Sequence, residues 1–73
     1  MEQKVFTIIN DIRASKDLPV VSKLNPEMKL REDLGLTSFD LAELTVKIED
    51  EFEIDIFEDG LVNKIGEIFD KLR

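Results

Sequence analysis

Residues 32–52, EDLGLTSFDLAELTVKIEDEF, decide the fold class of this chain. Gly35 lets the backbone turn, and the residues after it repeat apolar side chains with the 3.6-residue period of an α-helix. The pattern predicts an amphipathic helix over 38–52. Its apolar face consists of Leu41, Leu44, Thr45, Ile48 and Phe52.

The start of this helix carries a capping signal. With Thr37 as the N-cap, Asp40 falls at the third helical position, which is close to a capping box. Ser38 then becomes the first helical residue, and its hydroxyl is free to point into solvent. The alternative interpretation is that Ser38 is itself a simple helix cap.

Two further helices are predicted, a first one over 2–14 and a last one over 64–73 with Asn63 as its cap. Each has one apolar face that can join a common core. These faces consist of Val5, Ile8, Ile9 and Ile12 in the first helix, and of Ile65, Ile68, Phe69 and Leu72 in the last.

The connections between the helices are predicted to be ordered. Prolines exclude a long regular element from 15–37, but apolar side chains spread through it indicate a loop packed on the core. Within it, 25–27 predicts a short helical turn. Residues 53–57 predict an extended connection with Ile54 and Ile56 in the core, and 58–62 predicts one short helical turn.

The expected fold is therefore all-α: a small bundle of three main helices plus one short helix, with a long packed loop after the first helix. Such a four-helix bundle would form one domain over 1–73, which suits a chain of 73 residues.

Composition excludes several classes of function. The chain has no Cys and no His, and so offers no thiolate nucleophile, no imidazole base and no Cys or His metal ligand. No apolar run approaches the roughly 18 residues of a membrane span, and the N-terminus lacks a signal-peptide pattern. We therefore expect a cytoplasmic, non-enzymatic monomer that does not bind membranes.

The formal net charge of −7 is concentrated in one segment. Residues 38–59 contain nine acids and a single base, Lys47, whereas the rest of the chain carries nine bases and eight acids. This excludes nucleic acid as a partner, because phosphates repel such a helix. The segment is either a solvated face or a docking face for basic protein partners. No specific metal site is predicted, because the best EF-hand frame has Phe57 and Gly66 at ligand positions.

The chain resembles the acyl carrier protein family over nearly its whole length. The resemblance rests on the amphipathic first helix, the long loop, the EDLG-x-x-S motif at 32–38 and an acidic second helix that ends in Glu-Asp-Glu-Phe. It implies that Ser38 carries 4′-phosphopantetheine, derived from coenzyme A, and that the thiol of this arm holds acyl intermediates as thioesters. The missing Cys and His then fit, because the reactive thiol belongs to a prosthetic group.

The resemblance also implies partners. These are a phosphopantetheinyl transferase and acyl-transferring or condensing enzymes with basic docking patches, all of which would meet the helix at 38–52. The acidic contacts implied are Asp40, Glu43, Glu49 and Asp50. The remaining contacts implied are Thr37, Phe39, Ala42 and Val46.

Some residues depart from the family pattern. The usual Asp-Ser-Leu is Thr37-Ser38-Phe39 here, the region between Ile56 and Ile65 is shorter than usual, and Phe57 replaces a Pro. These changes suit a specialised carrier at least as well as a housekeeping one, within fatty acid, lipid or polyketide-type synthesis. Two alternatives stay open: an unmodified acidic interaction module of the same fold, and a peptidyl or aminoacyl carrier.

Overall fold

Three helices make up the regular structure of residues 2–73, the part of the chain described by a computed structural model. Helix α1 spans Glu2–Ser15, α2 spans Ser38–Phe52 and α3 spans Ile65–Leu72. The described residues contain no β-strand, and their one extended pairing is an isolated antiparallel bridge between Lys29 and Lys64. The all-α class is confirmed.

Helices α1 and α2 pack against each other through the apolar faces that the sequence predicts. Burying one such aliphatic side chain contributes about 1.5–3 kcal/mol, so this contact is a main source of stability. Ile8 and Phe52 lie at its margin, half-buried against the same core. The buried apolar residues of the two helices are Val5, Ile9, Ile12, Leu41, Leu44 and Ile48.

Helix α3 is shorter than predicted, and its cap differs from the prediction. The N-cap is Lys64 rather than Asn63, with extended backbone angles of φ −120° and ψ 154°. Because Lys64 is held extended by its bridge to Lys29, the helix can begin only at Ile65. The carboxylate of Glu67 accepts from the backbone N–H of Lys64 at 3.0 Å and supports this start.

The loop between α1 and α2 is packed on the core, as predicted. The side-chain amide of Asn10 holds it to α1: the Val21 N–H donates to Asn10 Oδ1 at 2.8 Å, and Asn10 Nδ2 donates to the Val21 carbonyl at 3.2 Å. Among the apolar loop residues, Val20 is exposed and Leu18 is half-buried outside the core. The loop residues that reach the core are Val21, Leu24, Met28, Leu30, Leu34 and Leu36.

A hydrogen-bonded turn, although not a helical one, is present at Asn25, where the sequence predicts a short helical turn. The Met28 N–H donates to the Asn25 carbonyl at 2.9 Å, and Asn25 Oδ1 accepts from the Glu27 N–H at 2.8 Å. The start of α3 lies directly against this turn, since the Gly66 N–H donates to the Pro26 carbonyl at 2.9 Å. A side chain at Gly66 would approach that carbonyl to about 3.1 Å, which explains a glycine here.

The short helical turn predicted at 58–62 is not found in the described residues. Successive turns lie slightly earlier, where the Glu58 N–H donates to the Asp55 carbonyl at 3.3 Å and the Gly60 N–H donates to the Phe57 carbonyl at 3.1 Å. A φ of 130° at Gly60 takes the backbone out of helical geometry and ends the turns. Ile56 is buried as predicted, whereas Ile54 is only half-buried and lies outside the core.

Candidate functional site

Thr37, and not Ser38, caps α2. Thr37 Oγ1 accepts from the Asp40 N–H at 3.2 Å, and Asp40 Oδ2 accepts from the Thr37 N–H at 2.8 Å, which completes a capping box. Ser38 is the first residue of α2 and is exposed. Its hydroxyl is therefore not used to cap the helix, which rules out the alternative of a simple cap at Ser38.

A cationic side chain lies beside the hydroxyl of Ser38, since Arg31 Nη2 donates to Ser38 Oγ. The turn that carries Arg31 closes back on itself, because the Gly35 N–H donates to the Arg31 carbonyl at 3.1 Å and the Leu36 N–H donates to the Leu30 carbonyl at 3.0 Å. Gly35 has a φ of 72°, the left-handed conformation that the closure requires.

Sequence reasoning missed Arg31, although one signal was available. The ten residues that precede Ser38 contain two bases, Lys29 and Arg31. Its approach to the serine depends on the closure of the turn, which residue spacing alone does not reveal.

Asp40, which the sequence analysis gives as an acidic partner contact, is buried in the structure. It is only 8% exposed. Lys16 Nζ donates to its carboxylate and also to the Gly35 carbonyl at 2.7 Å. The hydrogen bond from Lys16, followed by that from the Thr37 backbone, lowers the pKa of Asp40. Its carboxylate is thus occupied in joining α1, the loop and α2.

The other predicted contacts are accessible on one side of α2. Phe39 and Val46 are 84% and 59% exposed, unusual values for large apolar side chains. At 100° per residue, the positions involved fall within roughly a third of the helix circumference. Thr37, which precedes the helix, is exposed as well. We call this side the α2 outer face; it consists of Phe39, Ala42, Glu43, Val46, Glu49 and Asp50.

A small groove opens beside Ser38, between α2 and the segment that follows it. Its volume is about 240 Å³. Apart from Ser38, Thr45 and Arg31, its lining is apolar. Leu61 stands at this groove with 92% of its surface exposed, although it is a large apolar side chain. The apolar residues that line the groove are Leu41, Ala42, Phe57 and Leu61.

Residues 2–73 contain neither a metal-binding cluster nor a membrane-spanning helix. No three acidic side chains in this range are grouped so that they could hold a metal ion. No helix in the same range has both the length and the apolar character needed to cross a membrane.

Comparison with known proteins agrees with this geometry. The family model for the phosphopantetheine attachment site matches residues 13–67. The chain is 35% identical over 78 aligned residues to the acyl carrier protein of Syntrophus aciditrophicus (strain SB), and the match covers all of this chain and 89% of that protein. It is 33% identical over 70 residues to the acyl carrier protein of Rickettsia bellii (strain OSU 85-389), covering 96% of this chain and 80% of that one.

The matches define the class as phosphopantetheine-bearing carrier domains. Within this class, the chain belongs to the acyl carrier protein family. It is a non-catalytic carrier that works with a phosphopantetheinyl transferase and with acyl-handling enzymes. Its prosthetic group is 4′-phosphopantetheine, which supplies the thiol that holds acyl groups as thioesters. The residues present fit this group, because an exposed hydroxyl with a cationic neighbour stands beside an apolar groove.

Proposed function

We propose that Ser38 is the residue that carries the phosphopantetheine arm. The observation that supports this most directly is the capping of α2 by Thr37, which leaves the Ser38 hydroxyl exposed at the start of the helix. Ser38 also lies inside the segment matched by the family model. Nothing adjacent to Ser38 in residues 2–73 is a general base, so the hydroxyl is a substrate of the modifying enzyme and not an activated nucleophile.

The α2 outer face is the proposed docking surface. It combines exposed apolar side chains with the carboxylates of Glu43, Glu49 and Asp50, and so matches partners that present basic residues around an apolar patch. Asp40 positions this surface indirectly, because its buried carboxylate orients the first turn of α2. It is assigned a positioning role instead of the direct contact that the sequence suggested.

The remaining features of the proposal follow from the need to meet several enzymes in turn. A monomer leaves the α2 outer face open to each partner. The proposal also includes a single carrier domain over 1–73 and a location in the cytoplasm. Thr37 and Phe39, which depart from the usual family residues, fit a specialised carrier whose dedicated enzymes accept them. The groove beside Ser38 is the proposed site where the first part of an acyl chain is sheltered.

The test is enzymatic loading followed by intact mass measurement. Purified apo-protein is incubated with coenzyme A, magnesium and a broad-specificity phosphopantetheinyl transferase. We expect the mass of one phosphopantetheine to be added to the wild type and to Ser22→Ala, an exposed loop serine that serves as the matched control. Ser38→Ala should gain nothing. If the wild type stays unmodified with several transferases, the chain is an unmodified interaction module instead.

A further inference from the structure

We propose that Arg31 binds the phosphodiester that links the arm to Ser38 and directs the arm over the groove. This inference rests on the proposed modification of Ser38. Its starting point is the hydrogen bond from Arg31 Nη2 to Ser38 Oγ, the atom to which the phosphorus would be attached. No ion pair joins Arg31 to an acidic side chain of residues 2–73, so its guanidinium is not otherwise neutralised by the chain.

The chemistry of the two groups is complementary. Once Ser38 is esterified, Oγ becomes a bridging oxygen and the charged phosphate oxygens lie one bond further out. A guanidinium has five N–H donors in a planar fork, so it can follow the phosphate and donate to two of its oxygens. Lysine offers only a point charge at the end of a flexible stem, which makes arginine the better residue for this contact.

The charge of the surroundings favours such a cation. The phosphodiester adds a negative charge at the start of a segment, 38–59, that already contains nine acids and one base. Lys16, the other cation near the start of α2, is engaged by Asp40 and the Gly35 carbonyl. Arg31 is therefore the cation placed to offset repulsion between the arm and α2.

The position of Arg31 also determines the direction in which the arm leaves Ser38. Arg31 lines the groove together with Phe57 and Leu61, and Ala42 is the one residue of the α2 outer face that also lines it. A phosphate held by Arg31 starts the arm on the groove side. Without Arg31, the arm would be free to swing over the acidic outer face.

The first experiment follows the Arg31 side chain by NMR in ¹⁵N-labelled wild type before and after loading, with loading verified by intact mass. We expect the Nε–H resonance of Arg31 to shift and its hydrogen exchange to slow by roughly fivefold, as for a charge-assisted hydrogen bond at an exposed site. Amide resonances of Phe57 and Leu61 should shift with it. An Arg31 signal that is identical in the apo and holo proteins overturns the inference.

The second experiment compares the melting temperatures of holo and apo forms at low salt. In Arg31→Met, which removes the donors but keeps an apolar stem, loading should lower the melting temperature by roughly 3–6 °C more than in the wild type. Lys23→Met is the matched control, since Lys23 is exposed and forms no ion pair within residues 2–73. An equal holo-minus-apo difference in both variants contradicts a role for Arg31. Failure of the wild type to gain mass would instead refute the proposed function itself.

Discussion

The ammonium group of Lys16, the residue that follows α1, donates a hydrogen bond to the carboxylate of Asp40 in the first turn of α2. The same ammonium group donates to the Gly35 carbonyl. One side chain thus joins the end of α1, the turn before Ser38 and the start of α2. The Lys16 and Asp40 side chains are 27% and 11% exposed, so solvent screens this pair less than a surface ion pair.

This pair predicts an acid-dependent loss of stability. The pKa of Asp40 is lowered below 3.8 in the folded protein, so its contribution to the free energy of unfolding is complete above the unfolded value. That contribution is lost as the pH falls from about 5 through the lowered pKa. Asp40→Asn keeps an oxygen for the Thr37 N–H but loses the charge, and should cost about 1 kcal/mol at pH 7.

Urea unfolding between pH 3 and pH 7 measures this effect. The wild type and Asp40→Asn should differ most at pH 7 and converge in acid. Asp70→Asn is the control, because Asp70 forms only an exposed pair with Arg73. A difference between wild type and Asp40→Asn that does not change with pH would show that the charge is not involved.

The cap of α2 yields a prediction about Thr37. Thr37→Val keeps the shape of the side chain but removes the acceptor for the Asp40 N–H, so we expect a loss of about 1 kcal/mol in the free energy of unfolding. Thr7→Val is the matched control. The Thr7 hydroxyl donates only to the Gln3 carbonyl within its own helix, so this change should stay within about 0.5 kcal/mol. Equal losses in the two variants would argue against the cap.

Reversal of charge on the α2 outer face tests docking. Glu43→Lys combined with Glu49→Lys should slow loading by the transferase roughly tenfold at low salt, because steering toward a basic partner is lost. The helical circular dichroism should stay close to that of the wild type. Glu2→Lys combined with Asp70→Lys changes the net charge of the protein by the same amount, but on α1 and α3. This control should leave the rate of loading nearly unchanged. If both double variants are slowed alike, net charge and not the α2 outer face controls loading.

The excess of acids in residues 38–59 predicts that the melting temperature depends on salt concentration. Cations from elsewhere in the chain compensate part of it, since Lys4 pairs with Glu51 and Lys71 lies 3.6 Å from Asp59. The remaining acids still repel one another, and screening them should raise the melting temperature by roughly 2–5 °C between 20 and 500 mM NaCl. Lys4→Gln removes one compensating charge and should enlarge this rise. A melting temperature that falls with salt in both proteins would mean that attractive pairs outweigh the repulsion.

The sequence predicted α2 most completely. Its bounds, its cap at Thr37 and its buried face are all present in the structure. The errors occur where a distant contact or the backbone conformation of a glycine overrides a local signal. Asn63 resembles a helix cap, but the bridge between Lys29 and Lys64 delays the start of α3. Residues 58–62 resemble a helical turn, but Gly60 ends the preceding turns early.

By itself the sequence predicted the three helices and offered an exposed Ser38 as one of two interpretations. These predictions depend on apolar periodicity and on capping between residues no more than a few positions apart, whereas the family was indicated by a resemblance that includes the EDLG-x-x-S motif. Only the tertiary structure decided that Asp40 is buried against Lys16, and that Arg31 reaches Ser38. Both contacts require the long loop to close over α1 and α2, and that closure depends on how Leu30, Leu34 and Leu36 pack in the core. Packing of this kind joins residues far apart along the chain, and local sequence patterns do not predict it.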